Sequence, residues 1–310
     1  MVKAYVIHEN DSWIEPLKQA FEEENIPFEF WHLDHGILDI HQDPPLGVFY
    51  NRMSASSHSR GHRFAPEYTS NILAWLEQHD RKVLNEGRAL ELELSKIKQY
   101  LELQAHGVKT PFTVAAVGRD ELLRAAKTFP YRPFITKHNR AGKGLGVYLF
   151  QQNEDLERYV YGPSFEYPVD GITLLQQYID NDEQYITRCE FIDGEFYYAI
   201  RVDTSEGFEL CPADACQIGD QFCPAPGQEV KAKFQVIDLF ESPLISQYEA
   251  LLKKNRISFA GIEFITDQNG LAYTYDINTN TNYNSDAETI AGVHGMRAIA
   301  RTMGAYLKKL

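Results

Sequence analysis

Three polar residues close to a strongly predicted hairpin turn have types and a spacing that suit a metal ion. The dipeptide Asn269-Gly270 is typical of a tight two-residue turn, and a hairpin in this register pairs Glu263 with Asp276. Asn278 lies on the same face as Asp276, because side chains alternate along a strand. Facing carboxylates repel each other, so we expect a cation between them. Two carboxylates and an amide suit a hard cation such as Mg²⁺.

The opposite face of this hairpin is apolar and is predicted to lie in the core. Its residues are Ile262, Phe264, Tyr273, Tyr275 and Ile277. A four-residue loop would shift the pairing by two residues and would still leave the three polar residues together. A solvated polar face on an ordinary hairpin is the alternative to a metal site, and the rest of the chain must decide between them.

A glycine-rich loop lies between two β-like runs in the segment PFITKHNRAGKGLGVYLF. A strand follows the loop instead of a helix, which excludes a Walker A loop and a Rossmann fingerprint. Such a hairpin can fold its backbone amides over a polyphosphate. The glycines are Gly142, Gly144 and Gly146, and the positive charges are Lys137, Arg140 and Lys143. A surface hairpin with solubilising charge is the alternative.

Two further segments, a strand and a hairpin, could contact a nucleotide. The run TLLQQYID can present backbone N–H and C=O groups to an adenine edge, with Tyr178 and Ile179 beside the base; a plain core strand is the alternative. In YITRCEFIDGEFYYAIRV, a two-residue turn at 193–194 places Arg188 opposite Ala199 and diagonal to Arg201 on one face. Two guanidinium groups on one surface suit phosphate oxygens. Pairing of these arginines with surface acids is the alternative.

Composition narrows the class of protein. The 310 residues are 44% hydrophobic and 24% charged, which predicts a globular chain of two or more domains. A net charge of −14 argues against nucleic acid as a partner. Without a recognisable signal peptide, membrane span or Cys-x-x-Cys pair, we expect a cytoplasmic protein with reduced thiols and no zinc knuckle. His58 and His62 could share a metal only on a helix, which their Ser/Gly-rich surroundings disfavour.

Alternating strand-like and helix-like segments must position these residues. Residues 1–88 predict a small α/β domain, with strands at Lys3–His8, Phe28–Leu33 and Gly47–Asn51 and a helix at Ser70–His79. One helix is predicted over Ala89–His106, before a compact α/β segment that ends at Ile179. Hairpins, a Cys/Pro-rich stretch and a helix near Pro243–Asn255 follow.

In order, the chain has a lysine at a helix start, a lysine before a glycine-rich hairpin, a linker strand, an arginine hairpin and an acidic hairpin. This order resembles the ATP-grasp superfamily, in particular its glutamate-ligase (ribosomal-protein-modifying) branch of carboxylate–amine ligases. The most specific stretches are VLNEGRALELELSKIKQYLELQAHGVKTP, FITKHNRAGKGLGV, LLQQYI and GIEF…YDIN. The likeness runs from residue 50 to about residue 284.

The resemblance implies an α/β fold with α+β lobes. A Rossmann-like pre-grasp domain would span residues 1–88, and an ATP-grasp domain would span residues 89–310. The latter would divide into a lid subdomain at about 112–179 and a C-terminal antiparallel-sheet subdomain at about 180–310.

The resemblance also implies roles for named residues. ATP would be bound by Lys96, Lys137, Lys143, Gly142, Gly144 and Gly146 at its phosphates and by Gln176, Gln177, Tyr178 and Ile179 at its adenine. Arg188 and Arg201 would act as catalytic residues beside the phosphate or an acyl-phosphate intermediate. Glu263, Asp276 and Asn278 would hold Mg²⁺, with two ions expected and Mn²⁺ as an alternative metal.

The implied activity is ATP-dependent ligation of a carboxylate to an amine, on an amino acid or small peptide, with release of ADP and phosphate. An ATP-dependent phosphotransferase and a catalytically silent nucleotide-binding regulatory protein are the alternatives. No membrane partner is expected, and a homo-oligomer is possible. The substrate end departs from the family pattern at TSEGFELCPADACQIGDQFCPAPG and TNTNYNSDAE, and the substrate candidates are Arg52, Asp214, Asn280 and Asn282.

Overall fold

A four-stranded parallel sheet organises the N-terminal part of the chain. In the computed structural model, which describes residues 2–142, 144, 146–181, 183–205 and 233–310, its strand order is β2-β1-β3-β4. The strands are β1 (Lys3–His8), β2 (Phe28–His32), β3 (Gly47–Asn51) and β4 (Lys82–Leu84). Their apolar side chains alternate between two buried faces, so each face needs a cover.

Helices from both ends of the chain cover this sheet. Helices α1 (Glu15–Glu23) and α9 (Gly295–Leu307) pack against one face, in a core cluster that includes Val6. Helices α2 (Ala65–Gln78) and α3 (Gly87–Glu93) cover the other face, beside Ile7 and its neighbours. The C-terminal helix therefore packs on the N-terminal sheet.

A second, antiparallel sheet carries the glycine-rich loop. Its strand order is β5-β8-β6-β7, and the loop connects β6 to β7. Two helices, α5 and α6, contribute to the apolar cluster on this sheet. The elements are β5 (Thr113–Val117), α5 (Arg119–Thr128), β6 (Phe134–His138), β7 (Tyr148–Phe150), α6 (Asn153–Tyr161) and β8 (Ile172–Gln177).

A third sheet of five antiparallel strands carries the arginine and acidic hairpins. Its order is β11-β10-β9-β12-β13, and α4 (Lys96–Ala105) and α7 (Leu244–Lys254) share its core cluster. The strands are β9 (Tyr185–Ile192), β10 (Glu195–Asp203), β11 (Phe234–Ile237), β12 (Phe259–Thr266) and β13 (Ala272–Asn278), and α8 (Ser285–Ala291) follows them. One parallel and two antiparallel sheets with flanking helices give the α/β fold with α+β lobes that the sequence predicts.

Asn85, directly after β4, joins the N-terminal sheet to the third sheet. Its Nδ2 donates to the backbone oxygens of Phe259 and Thr279, both at 2.8 Å. Its Oδ1 accepts from the backbone N–H groups of Ser258 at 2.8 Å and Phe259 at 2.9 Å. Asn85 is fully buried and has a φ of 60°, a conformation that asparagine tolerates better than most residues.

The helix predicted over Ala89–His106 is in fact two helices, α3 and α4. Ser95 interrupts it, because its side chain caps α4 by accepting a hydrogen bond from the backbone N–H of Lys98 at 3.3 Å. Lys96 thereby becomes the first residue of α4 and is buried. The break places Lys96, which the resemblance assigns to the phosphates of ATP, in the site described below.

Some predictions fall outside the described residues. They include Lys143, Asp214 and the whole Cys/Pro-rich stretch at 206–227. The proposed domain boundaries at 88 and 179 stay predictions. Across the residues that the structure describes, every helix is too short or too polar to cross a membrane.

Candidate active site

The acidic hairpin places its two carboxylates opposite each other, as predicted. Glu263 on β12 pairs with Asp276 on β13. The predicted two-residue turn is wrong: a three-residue turn at 268–270 joins the strands, with Gly270 N donating to Asp267 O at 2.9 Å. A bulge at Tyr275 adds one residue to β13 and restores the register in which the carboxylates meet.

The same bulge corrects a second expectation, because it turns the partly buried Tyr275 to the cavity side of the hairpin, where it packs at the edge of a core cluster. Tyr275 lines a cavity together with Glu263. Thr274 takes the core position, and its Oγ1 lies 2.6 Å from the Tyr248 hydroxyl. The other residues of the predicted core face, Ile262, Phe264, Tyr273 and Ile277, are buried.

Each of the facing carboxylates has a protein cation beside it. Lys96 Nζ donates to Asp276 Oδ1 at 2.5 Å, and Arg188 Nη1 donates to Glu263 Oε1 at 2.8 Å. Burial raises the pKa of Asp276, but the charges of Lys96 and Lys137 outweigh burial and hold this pKa below its usual value. Repulsion between the carboxylates therefore does not by itself require a metal ion, and the assignment depends on the donor atoms.

Arg188 is the buried centre of an ionic network. Its Nε donates to Glu190 Oε1 at 2.5 Å and its Nη2 donates to Thr281 Oγ1 at 2.6 Å, besides the bond to Glu263. Burial opposes the charge, but Glu190 and Glu263 raise the pKa of Arg188 above its usual value. The guanidinium lies against Gly261, where a Cβ would come within 2.2 Å of Nη2. Glycine at this position leaves the space that the arginine occupies.

Arg201 lies on the other face of the sheet, so the predicted pair of arginines is wrong. The two-residue turn at 193–194 forms as expected, but a bulge at Tyr197 shifts the register of β9 and β10. Arg188 therefore pairs with Ile200, and Arg201 pairs with Thr187. Arg201 is exposed, and its guanidinium carbon lies 3.9 Å from the centre of a tyrosine ring. Only Arg188 of the two faces the cavity.

Lys137 is a second buried lysine of the site. Its Nζ donates to the Tyr100 hydroxyl at 3.0 Å, and Gln176 Nε2 donates to the same hydroxyl at 2.9 Å. The Tyr100 hydroxyl in turn donates to the backbone oxygen of Tyr275 at 3.1 Å. Burial lowers the pKa of Lys137, although Asp276 opposes this shift. The sequence reasoning missed Tyr100. From helix α4, its hydroxyl joins the second sheet, through Lys137 and Gln176, to the third sheet, through Tyr275. Lys137 is a predicted phosphate ligand.

One cavity of about 350 Å³ is lined by residues of the second and third sheets and by segments that follow β1 and β3 of the N-terminal sheet. Its volume lies within the range of small-molecule sites. The predicted residues that line it are Lys96, Lys137, Gly142, Gly144, Gln176, Gln177, Tyr178, Ile179, Arg188, Glu263, Asp276, Asn278, Asn280 and Asn282. The structure thus brings together residues that lie up to 186 positions apart in the sequence, from Lys96 to Asn282.

The glycine-rich loop lies along this cavity. Gly142 and Gly144 line it, whereas Gly146 packs against the β6 strand. A Cβ on Gly146 would come within 2.4 Å of the His138 ring, and its φ of 73° also favours glycine. Strand β8 ends at Gln177, and the two residues that follow it line the cavity next to the loop.

Arg52, predicted to face the substrate, is buried and bound by the protein instead. Its Nη2 donates to Thr281 O at 2.9 Å and to Asn282 Oδ1 at 2.8 Å, and its Nε donates to Asn280 Oδ1 at 3.1 Å. Nη1 donates to the backbone oxygen of Trp13 at 3.2 Å. Arg52 therefore holds the 280–282 segment in place, and the two asparagines carry the contact with the cavity.

Glu93 is a further cavity residue that the sequence reasoning missed. Its Oε2 accepts from Thr279 N at 2.8 Å and its Oε1 accepts from Ala55 N at 3.2 Å. Burial raises its pKa, and these backbone hydrogen bonds oppose the shift. In the sequence, Glu93 is one of two acids in ELELSK, so only the fold distinguishes it.

The donor atoms of the acidic hairpin fit Mg²⁺. Glu263, Asp276 and Asn278 offer carboxylate and amide oxygens at one wall of the cavity, and a hard divalent cation prefers oxygen ligands. Asn278 Nδ2 donates to Glu263 Oε1 at 3.3 Å, so the three side chains lie within reach of one ion. Lys96 and Lys137 at the same wall fit the phosphates that accompany such an ion.

No protein-family model matches the sequence, and no curated protein matches it either. Solved structures match along nearly the whole chain. A D-cycloserine synthetase, DcsG, is 15% identical, with a TM-score of 0.67, over 98% of this chain and 99% of that chain. A RimK domain ATP-grasp protein from Sphaerobacter thermophilus DSM 20745 is 15% identical, with a TM-score of 0.64, over 96% of this chain and 99% of that chain.

A third match is the ATP-grasp ligase PsnB, solved in complex with a minimal precursor, Mg and ADP. It is 13% identical to this chain, with a TM-score of 0.66, over 98% of this chain and 97% of that chain. Likeness at these identities establishes the architecture alone.

Proposed function

The chain has the ATP-grasp fold, and from this premise we propose that it is an ATP-dependent ligase that joins a carboxylate to an amine. One observation carries the proposal: two buried lysines, a buried arginine and an acid, acid, amide set line a single cavity. Phosphoryl transfer needs positioned cations and metal ligands together. PsnB was solved with Mg and ADP, which supports the same cofactors here.

Lys96 and Lys137 would bind the phosphates of ATP. Lys137 is buried, which lowers its pKa, and a polyphosphate beside it would favour the charged ammonium. Gly142 and Gly144 would let the loop backbone approach the phosphates closely. The segment at 176–179 would contact the adenine, since it lines the same cavity at the end of β8.

Glu263, Asp276 and Asn278 would hold Mg²⁺. When bound, the ion would neutralise phosphate charge and orient the phosphoryl group for transfer. Lys96, 2.5 Å from Asp276, would share its charge between this carboxylate and the phosphates. Arg188 would keep Glu263 in position, because its guanidinium is fixed on three sides.

The proposed reaction has two steps. A substrate carboxylate oxygen attacks the γ-phosphorus, and the bond from this phosphorus to the bridging oxygen breaks. ADP departs with the bonding electrons, and the substrate becomes an acyl phosphate. The amine nitrogen then attacks the carbonyl carbon, phosphate leaves with its bonding electrons, and the nitrogen loses a proton to give the amide. Arg188, charged and adjacent to the cavity, would stabilise the negative charge that develops on the transferred group.

The substrates would enter at the wall formed by the segments that follow β1 and β3 of the N-terminal sheet. Trp13 and Ser56, which follow β1 and β3, line the cavity there, together with Asn280 and Asn282. These are neutral hydrogen-bonding groups around one aromatic ring, which suits an amino acid or a short peptide. Glu93, at the same cavity, is a candidate to orient the amine.

The proposal is tested by screening paired carboxylates and amines for ADP release and identifying the product by mass spectrometry. We expect ADP release that depends on both partners and a product whose mass is their sum less one water. ADP release with one acceptor alone and a phosphoester product would identify a phosphotransferase. If MgATP fails to raise the melting temperature, both ATP-dependent activities are wrong.

Asp276→Ala should abolish turnover and leave the fold intact. Loss of one metal ligand should lower kcat by at least about 100-fold, in the range of other electrostatic deletions. The control is Asp286→Ala, which removes an exposed carboxylate of α8 outside the cavity and should leave kcat unchanged. Near-normal product formation by Asp276→Ala would contradict the metal assignment.

A further inference from the structure

Three histidines from separate segments meet at the carboxyl edge of the N-terminal sheet. His8 and His32 are the last residues of β1 and β2, and His62 lies in the segment that follows β3. The ring centres of His8 and His32 are 5.1 Å apart, and those of His32 and His62 are 5.6 Å apart. In open α/β sheets, ligands bind outside this edge of the strands.

Two of these imidazoles present the same nitrogen to one carboxylate. Asp34 Oδ1 lies 3.8 Å from His32 Nε2, and Asp34 Oδ2 lies 3.9 Å from His62 Nε2. Within the described part of the chain, His32 Nε2 is buried and has no hydrogen-bond partner. A buried polar nitrogen without a partner is rare, and coordination of a metal ion would satisfy it.

The other nitrogen of each ring is held by a second carboxylate. His32 Nδ1 is 2.9 Å from Asp11 Oδ1, and His62 Nδ1 is 2.9 Å from Glu9 Oε2. Hydrogen bonds of this kind fix the tautomer and orientation of metal-binding histidines and leave Nε2 with its lone pair. Arg60 holds Glu9 in turn, with Nη2 donating to Oε1 at 2.5 Å.

We propose that His32 Nε2, His62 Nε2 and a carboxylate oxygen of Asp34 bind one divalent transition metal of the Zn²⁺ class. Imidazole ligands favour such metals over Mg²⁺ and Ca²⁺. The ligand atoms lie within 4.8 Å of one another, and tetrahedral coordination would bring them to about 3.3 Å. Small side-chain rotations close this difference. Three protein ligands leave one coordination position open.

This site is distinct from the oxygen-only set of the cavity, but a chain of contacts joins the two. Arg60 Nη1 donates to Ser56 Oγ at 3.2 Å, and Ser56 lines the cavity. The same arginine binds Glu9, which holds His62. An ion at this edge of the sheet would therefore fix the segment that carries Ser56.

The Nδ1 side of His32 offers an alternative position for the ion, and the experiment must distinguish the two positions. There His8 Nδ1 lies 3.8 Å from Asp11 Oδ1. His8 is buried, with 4% of its surface exposed, and its Nδ1 has no hydrogen-bond partner among the described residues. Asp11 already binds His32 Nδ1, and its side chain is 80% exposed. We therefore place the ion on the Nε2 side.

The test is a calorimetric titration of Zn²⁺ into the untagged full-length protein after treatment with EDTA. Excess Mg²⁺ in the buffer fills the oxygen-only set. We expect one Zn²⁺ per chain, and the Co²⁺-loaded protein should show the intense visible absorption of a four- or five-coordinate ion. His32→Ala, His62→Ala and Asp34→Asn should each weaken binding at least tenfold. His41→Ala, which removes an exposed imidazole of the same region, is the control and should bind like the wild type.

Further variants fix the position of the ion. Asp11→Asn should weaken binding by about 10- to 100-fold through the orientation of His32, and His8→Ala should leave the affinity unchanged. Loss of binding in His8→Ala with retention in His62→Ala would overturn the proposal. Equal Zn²⁺ affinity of the wild type and a His32→Ala/His62→Ala double variant would also overturn it. Circular dichroism checks that each variant is folded. If a histidine variant fails to fold, the Zn²⁺ affinity of Asp34→Asn decides whether the proposal holds.

Discussion

Gly261→Ala should disable the site without removing any of its functional groups. An added Cβ would lie 2.2 Å from Arg188 Nη2 and 2.4 Å from Cζ, closer than real contacts allow. The guanidinium has no free direction in which to move, because Glu190, Glu263 and Thr281 hold its three nitrogens. Overpacking costs about 1–3 kcal/mol, and loss of a charge-assisted hydrogen bond costs about 1.5–3 kcal/mol. The free energy of unfolding should therefore fall by about 2.5–6 kcal/mol.

Urea unfolding measures this loss, and ADP release measures its effect on turnover. Once Arg188 moves, Glu263 loses the group that orients it, so kcat should fall by at least about 100-fold in molecules that remain folded. Gly87→Ala is the control, because the nearest atom to its Cβ would be a flexible Glu77 oxygen at 3.4 Å. It should change stability by less than about 0.5 kcal/mol. Wild-type stability and turnover in Gly261→Ala would refute the position assigned to Arg188.

Three further outcomes are expected. Burial raises the pKa of Glu288 to about 7, so the folded state holds this proton more tightly than the unfolded state. The wild type therefore loses stability as the pH rises from about 4.5 through 7. In urea unfolding, Glu288→Gln should be about 3 kcal/mol more stable than the wild type at pH 8 and little changed at pH 4.5. Asn85→Ala should lower the free energy of unfolding by at least about 3 kcal/mol, since it leaves four buried backbone groups without their partner. The control is Asn25→Ala, at a similar φ of 54° but with one long side-chain hydrogen bond, which should cost about 1 kcal/mol. Equal losses in the two variants would contradict the role of the Asn85 hydrogen bonds. Lys137→Ala should weaken ATP binding in a fluorescence or calorimetric titration, and unchanged affinity would count against its phosphate role.

Local patterns predicted most of the elements. Strands at Lys3–His8 and Gly47–Asn51 form where the sequence places them, and the helix predicted near Pro243–Asn255 forms at Leu244–Lys254, because alternation and helical spacing depend on nearby residues. The helix break at Ser95 was missed, since the leucine pattern continues through it. A side-chain cap at one position outweighed the apolar periodicity.

Bulges explain the errors of register. One inserted residue at Tyr197 moves Arg201 to the far face, and one at Tyr275 brings that ring to the cavity. The position of a bulge depends on how both faces of a sheet pack, which the residues of one hairpin do not reveal. The pairing of Glu263 with Asp276 was predicted correctly although the turn was wrong, because the odd turn and the bulge cancel.

The sequence by itself determined the kinds of groups and their order along the chain: the acidic hairpin, the glycine-rich loop and the lysines that precede them. Each of these is encoded within one or two adjacent elements, whose geometry follows from local periodicity. The tertiary structure alone decided which groups share a cavity, that Arg52 is enclosed by the protein, and that His32 and His62 meet at Asp34. Those contacts join distant segments, and their formation depends on sheet order and burial, which no local pattern contains.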